Sequence, residues 1–169
     1  QVLGGTNPVA GPYFDFSIPE PTGVVAVIAP QESSLLGLVS VLAPVMVTGC
    51  TAVVVASEAR PLPAVTLSEV LATSDVPAGV VNILTGRTAE LAPVLASHMD
   101  VNAIDLTGIG ADAIADLQRA AADNVKRTYG LGSSSLDRAS ASPVWSADPG
   151  LDRIRAVLEI KTVWHPMGS

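Results

Sequence analysis

One thiol, two imidazoles and a scatter of carboxylates are the groups in this chain that could do chemistry. Cys50, the only cysteine, would act as a nucleophile only as a thiolate in an electropositive, partly exposed setting with a base beside it. It falls instead between two apolar runs, Leu35 to Val47 and Ala52 to Ala56, which makes it a structural residue inside a core. It has no second cysteine to pair with, which fits a reducing compartment. His98 and His165 belong to no cluster of His, Cys or carboxylate with metal spacing, so neither a zinc nor an iron site is expected. His98 is placed at a helix end near its carbonyls, where partial positive charge is favourable. His165, between Trp164 and Pro166, reads equally as an oligomer contact or a plain surface residue. No residue is assigned a catalytic role.

The elements that must position these groups follow a repeating pattern. Gly23 to Ala29 is a continuous, valine-rich run of the kind that suits a strand buried on both faces of a parallel sheet. Ala52–Ala56, Val80–Leu84 and Val101–Leu106 repeat it, and Val125–Tyr129 is a candidate fifth strand. Helical patterns lie between them. Leu35 to Val47 is apolar on nearly all sides and is expected to be the most buried helix. Leu67, Val70 and Leu71 share a face, as do Leu91, Val94 and Leu95, and then Ile114, Leu117 and Ala121. Ser33 or Ser34, the Pro61 and Pro63 pair, and Asp112 are the helix-start signals. Four strand-then-helix units in series predict an α/β, doubly wound parallel sheet with right-handed crossovers.

The ends differ from this middle. Tyr13 to Ile18 alternates apolar and polar between Pro12 and Pro19, which predicts a short strand within an N-terminal arm, residues 1–22. The α/β domain is assigned to 23–130. Residues 131–150 carry no periodicity and read as a linker, in which Trp145 either tucks back onto the domain or docks on a partner, docking on a domain surface being favoured. Residues 151–169 hold a short helix and a strand over Glu159–Trp164 with one wet face.

Composition bounds the partners. A hydrophobic content of 49% with 15% charged residues excludes a disordered chain. The net charge of −7, with 9 Lys and Arg spread thinly, argues against nucleic acid or an anionic membrane surface. The longest apolar stretch, Leu35 to Val47, is 13 residues, against about 20 for a span. No signal peptide is visible, and the location is read by elimination as cytoplasmic. The start at Gln1, without Met, suggests a processed, partial or trimmed chain.

Several segments, in order, resemble the aldehyde dehydrogenase family: Pro21 to Pro30, Leu42-Ala43-Pro44, Gly49-Cys50-Thr51, Glu58 with Pro61-Leu62, Val76 to Leu84, His98 with Asp100-Val101, and Thr107-Gly108. Tyr13–Ile18 and Glu159–Trp164 stand where that family has the strands of a small oligomerisation sheet. The resemblance implies a Rossmann-like NAD(P) domain, with Ala29, Pro30, Glu58, Thr107 and Gly108 at the cofactor. It also implies assembly, either as a homo-oligomer or with a full-length aldehyde dehydrogenase.

Departures from the family pattern weaken the cofactor reading. Where the family has Pro-Trp-Asn, with an Asn that helps the oxyanion, this chain has Pro30-Gln31-Glu32, and a carboxylate would repel developing negative charge. The family's ribose lysine and following proline are replaced by Val55 and Ala56, and its pyrophosphate-facing serine by Ile109. Gly130 to Ser133 stand where the general-base glutamate would precede two glycines and a lysine, and the catalytic domain is replaced by the linker. Losing charged hydrogen bonds at about 1.5–3 kcal/mol each lowers a micromolar site to millimolar. Glu58 is then either a surviving ribose ligand or a solvated acid at a helix start. The resulting expectation is a catalytically incompetent subunit with a structural or regulatory role. The alternatives are an NAD(P)-binding module and a fragment of an NAD-dependent aldehyde dehydrogenase.

Overall fold

The computed structural model describes residues 3–130, 145–146 and 150–168. Along the chain run β1 (Gly5–Asn7), β2 (Tyr13–Pro21), β3 (Val24–Ile28), α1 (Leu36–Val47) and β4 (Thr51–Val55). Then come α2 (Leu62–Ala72), β5 (Val81–Leu84), α3 (Thr88–Ser97), β6 (Ala103–Asp105) and α4 (Ala111–Ala122). The chain closes with β7 (Arg127–Tyr129), α5 (Asp152–Ala156) and β8 (Leu158–Pro166). Apart from Trp145, Ser146 and Gly150, the expected linker lies outside the described residues.

Five strands form the parallel sheet that the sequence predicts, in the order β5-β4-β3-β6-β7. β3 is central, and Val25, Ala26, Val27 and Ile28 are all 0% exposed. A strand with no wet face needs cover on both sides. Val25 and Val27 pack with α1, Ala64 of α2 and Val157. Ala26 and Ile28 pack with α3 and α4 through Ala92, Leu95, Ala96, Leu117 and Ala121. Trp145 settles on the first of these clusters, as expected for a tryptophan that docks on a domain.

The helices differ from the sequence reading in their outer faces. α1 buries Gly37, Leu38, Val41, Leu42 and Val45, but Leu36, Val39 and Val47 are exposed, Val47 at 72%. Val70 and Val94, read as core positions, are likewise exposed. Small residues (Ala64, Ala92, Ala96) face the sheet instead, so helix and sheet sit close and the larger valines are left outside. Ser33 supplies the start of α1 from outside it, its Oγ accepting the Gly37 N–H at 2.9 Å.

β2 pairs antiparallel with both β1 and β8, forming a separate three-stranded sheet. β8 is longer than the expected Glu159–Trp164, and the short β1 carries no alternation that would have shown it. Conversely the fifth strand is shorter than expected. Val125 is no part of it: the chain turns there at φ 57 with Val125 90% exposed. A β-branched residue in the left-handed region is strained by about 1–2 kcal/mol, and here no packing offsets that strain. Val125→Gly is therefore expected to raise the unfolding free energy by about 1 kcal/mol in urea titration, after allowing for glycine's own entropy.

Candidate functional site

From β3 the chain moves outward to β4 and β5, then crosses to the other side of β3 for β6 and β7. The carboxyl ends of β3 and β6 are thus a switch point, where open α/β sheets form a ligand crevice. All five residues singled out from sequence reach this edge, because each follows the end of a parallel strand. Ala29 and Pro30 follow β3 and are fully buried. Thr107 and Gly108 follow β6, and Glu58 follows β4.

Backbone contact closes the edge tightly. Gly108 N–H donates to the Ile28 carbonyl at 2.9 Å. A Cβ at Gly108 would stand 2.1 Å from the Ala29 carbonyl oxygen, so only glycine fits where the two connections touch.

Glu58 is neither free nor capping its own helix. Its Oε2 accepts the Thr88 N–H at 2.9 Å, the first residue of α3, where a carboxylate satisfies an otherwise unpaired donor and the helix dipole. Gln31 joins this loop to the one after β3. Its Oε1 accepts the Glu58 N–H at 2.8 Å and its Nε2 donates to the Ala29 carbonyl at 3.1 Å. Ser57 Oγ donates to the Gln31 carbonyl at 3.0 Å. Gln31 therefore serves as a strut between loops.

Thr107 is engaged from two directions. Its N–H donates to Asp105 Oδ1 at 2.9 Å, and its hydroxyl donates to the same oxygen. Arg153 of α5 places Nη1 2.6 Å from Asp105 Oδ2 and donates from Nη2 to Thr107 Oγ1 at 3.0 Å. The Asp105 side chain is 0% exposed and that of Arg153 22%. Gly130, at φ 130, closes the far side: a Cβ there would lie 2.8 Å from the Thr107 nitrogen. Burial pushes the Asp105 carboxyl above its ordinary 3.8, while Arg153 and then Thr107 pull it back. Burial also raises the Tyr129 phenol, and the Asp105 charge adds to that rise.

Sequence reasoning missed this cluster. The available signal was Asp105 itself, a charged residue inside an apolar run, since a buried carboxylate requires a partner.

The other candidates resolve individually. Cys50 is 1% exposed, and its thiol donates to the Val157 carbonyl at 3.5 Å, as a structural residue would. His98 does end α3, but its Nδ1 accepts the Asp100 N–H at 3.2 Å. Lys126 serves the carbonyls there, with Nζ 2.8 Å from the His98 oxygen and 2.5 Å from that of Val101. Burial lowers the Lys126 ammonium from its ordinary value. His165 is exposed on β8. No group of His, Cys, Asp and Glu among the described residues could hold a metal ion. A cavity of about 280 Å³ opens at the opposite, amino edge of the sheet between Thr22, Asn102, Asn124, Arg127 and Glu159. No helix among the described residues is long and apolar enough to cross a membrane.

The Asp105–Arg153 pair gives a stability prediction with a defined sign. A carboxyl whose folded value is raised contributes stability present below its ordinary 3.8 and lost as pH rises through the folded value. Arg153→Met removes the group that holds that value down. It should cost about 3–5 kcal/mol near neutrality and much less in acid. Replacing both partners, as Asp105→Leu with Arg153→Met, is expected to recover most of that loss in chemical denaturation.

Known proteins match this chain in sequence and in structure. The aldehyde dehydrogenase family model matches residues 2–135. An aldehyde dehydrogenase of Enchytraeus buchholzi is 35% identical over 136 residues, covering 80% of this chain and 27% of its relative. The 5-carboxymethyl-2-hydroxymuconate semialdehyde dehydrogenase of Escherichia coli is 31% identical over 144 residues, covering 85% and 29%. Among solved structures, an aldehyde dehydrogenase of Brucella melitensis biovar abortus 2308 superposes with TM-score 0.71 at 30% identity, covering 75% of this chain and 26% of that one. Betaine aldehyde dehydrogenase of Staphylococcus aureus, solved with NAD+, gives 0.70 at 28%, covering 74% and 25%. The chain spans about a quarter of the length of these relatives. On the family match, the ordered motifs and the shared sheet, this chain belongs to the aldehyde dehydrogenase family.

Proposed function

We propose that this chain is a non-catalytic aldehyde dehydrogenase-family subunit that works by assembly, with itself or with a full-length aldehyde dehydrogenase. The observation that carries this reading is the antiparallel sheet. Among the described residues its nine-residue strand β8 pairs with β2 on one side only, which leaves its other edge as a template for a further strand. Both faces of that sheet are apolar in part. Ile160 and Trp164 are 56% and 61% exposed on one face, with Tyr13 edge-on to Trp164 at 6.0 Å. Phe14 and Phe16 pack together at 5.4 Å on the other. A three-stranded sheet with so little cover of its own gains stability by being covered from outside.

The chemistry supports the non-catalytic half. The one thiol is in the core with its hydrogen donated to a backbone carbonyl, not in the exposed, electropositive setting a reactive thiolate needs. Glu32 stands where the family places an oxyanion donor, and it carries the wrong charge for that task. A second reading follows from the chain spanning about a quarter of its relatives: it is a portion of a longer NAD-dependent dehydrogenase. The mass of the protein in its native source separates the two.

Two outcomes are expected of the purified chain. It should be a dimer or larger by light scattering, and Ile160→Lys with Trp164→Lys should make it monomeric without loss of far-UV signal. It should also leave NAD+ and NADP+ unreduced in the presence of aldehydes; dinucleotide reduction by the chain alone would end the non-catalytic reading.

A further inference from the structure

We propose that the switch point of this chain is a guanidinium site built around Asp105 and filled from within by Arg153, rather than a phosphate site. The inference goes beyond the assembly reading and does not rest on it, since a monomeric chain would leave it intact.

The geometry is that of a fork meeting two acceptors. One guanidinium nitrogen reaches Asp105 Oδ2 at 2.6 Å and another reaches Thr107 Oγ1 at 3.0 Å. Thr107 can accept there because its own hydroxyl hydrogen is spent on Asp105 Oδ1. The carboxylate is oriented in turn by the Thr107 N–H and hemmed in by the Gly130 backbone. Planar, paired donors fit this arrangement; a compact ammonium reaches one acceptor well and the second poorly.

Charge at the same edge opposes a phosphate. A helix N-terminus attracts anions, but Asp112 in the first turn of α4 already supplies one. Glu32 and Glu58 stand on the loops after β3 and β4, and Asp105 sits beneath with no solvent to screen it. Arg60 donates to the Glu32 carbonyl at 3.2 Å, and Arg87 pairs with Glu90 at 3.1 Å. A pyrophosphate placed here would displace Arg153 and then face an unpaired buried carboxylate. The dinucleotide that the family fold implies therefore does not fit these residues. Arg153 also lies just ahead of β8, so the site is filled by the same segment that carries the edge strand.

The test is chemical rescue read by thermal unfolding. Arg153→Gly should melt several degrees below the wild type. Methylguanidinium chloride at millimolar concentration should restore at least half of that loss, while matched methylammonium chloride and sodium chloride should not. Asp105→Asn combined with Arg153→Gly should show no response to methylguanidinium. Equal rescue by methylammonium, or rescue that survives removal of the Asp105 charge, would overturn the proposal. If Arg153→Gly does not fold, Arg153→Lys takes its place: it should melt below the wild type, and melting unchanged from wild type would overturn the fork argument. ADP titrated into the wild type is expected to leave its melting temperature unchanged. A saturable rise would mean that the site accepts phosphate, and would likewise overturn the proposal.

Discussion

A five-residue strand with no wet face sets the terms for everything around it. β3 reads Val-Val-Ala-Val-Ile, and four of its residues are completely buried. Each such valine or isoleucine contributes roughly 1.5–3 kcal/mol when fully buried, and only if both faces of the sheet are covered at once. That requirement places α1 on one side and α3 with α4 on the other, and it places β4 and β6 as neighbours on both edges of β3. The switch point is thus a by-product of burying one apolar strand. Val157, at 0% exposure, and Trp145 complete the cover on the α1 side, so residues from beyond β7 join the core around the parallel sheet.

Within so apolar a frame, each polar group at the carboxyl edge has to find a partner inside the protein. Asp105 takes Arg153 and Thr107; Glu58 takes the first amide of α3; Gln31 bridges two loops. A buried ion pair adds little net stability over an apolar substitute, because desolvation offsets most of the attraction. What such a pair does provide is discrimination. Of the positions α5 could take on α1, the one that leaves Asp105 unpaired is heavily penalised. At the amino edge Lys126 does similar work, tying the end of α3 to the start of β7 through the carbonyls of His98 and Val101. Among the described residues no carboxylate is paired with it, and burial lowers its ammonium.

The small sheet has the reverse character. Its strands are held by main-chain pairing, by the Ser17–Thr162 hydroxyl pair at 2.9 Å and by Lys161–Glu20 at 2.9 Å, all near solvent. It meets the larger body through the Arg127–Glu159 ion pair and the Thr22 amide on the Val157 carbonyl.

Much of this was written in the sequence. Valine-rich runs recurring between helical patterns fixed the class as a parallel, doubly wound sheet, since period and burial are local properties. The resemblance to the family picked out Ala29, Pro30, Glu58, Thr107 and Gly108, and the fold sets them at one edge because parallel strands all end on the same side. Boundaries and outward faces were less legible: Val125, Val70 and Val94 look like core residues until the turn and the close-set alanines are known. The partners were not legible at all. With 16 acidic and 9 basic residues, many pairings satisfy the composition equally well. Only the fold brings Arg153 to Asp105, 48 positions apart, and Glu58 to Thr88, 30 apart. Side-chain period reports which face is buried, whereas the identity of a distant partner depends on how the covering helices settle onto the sheet.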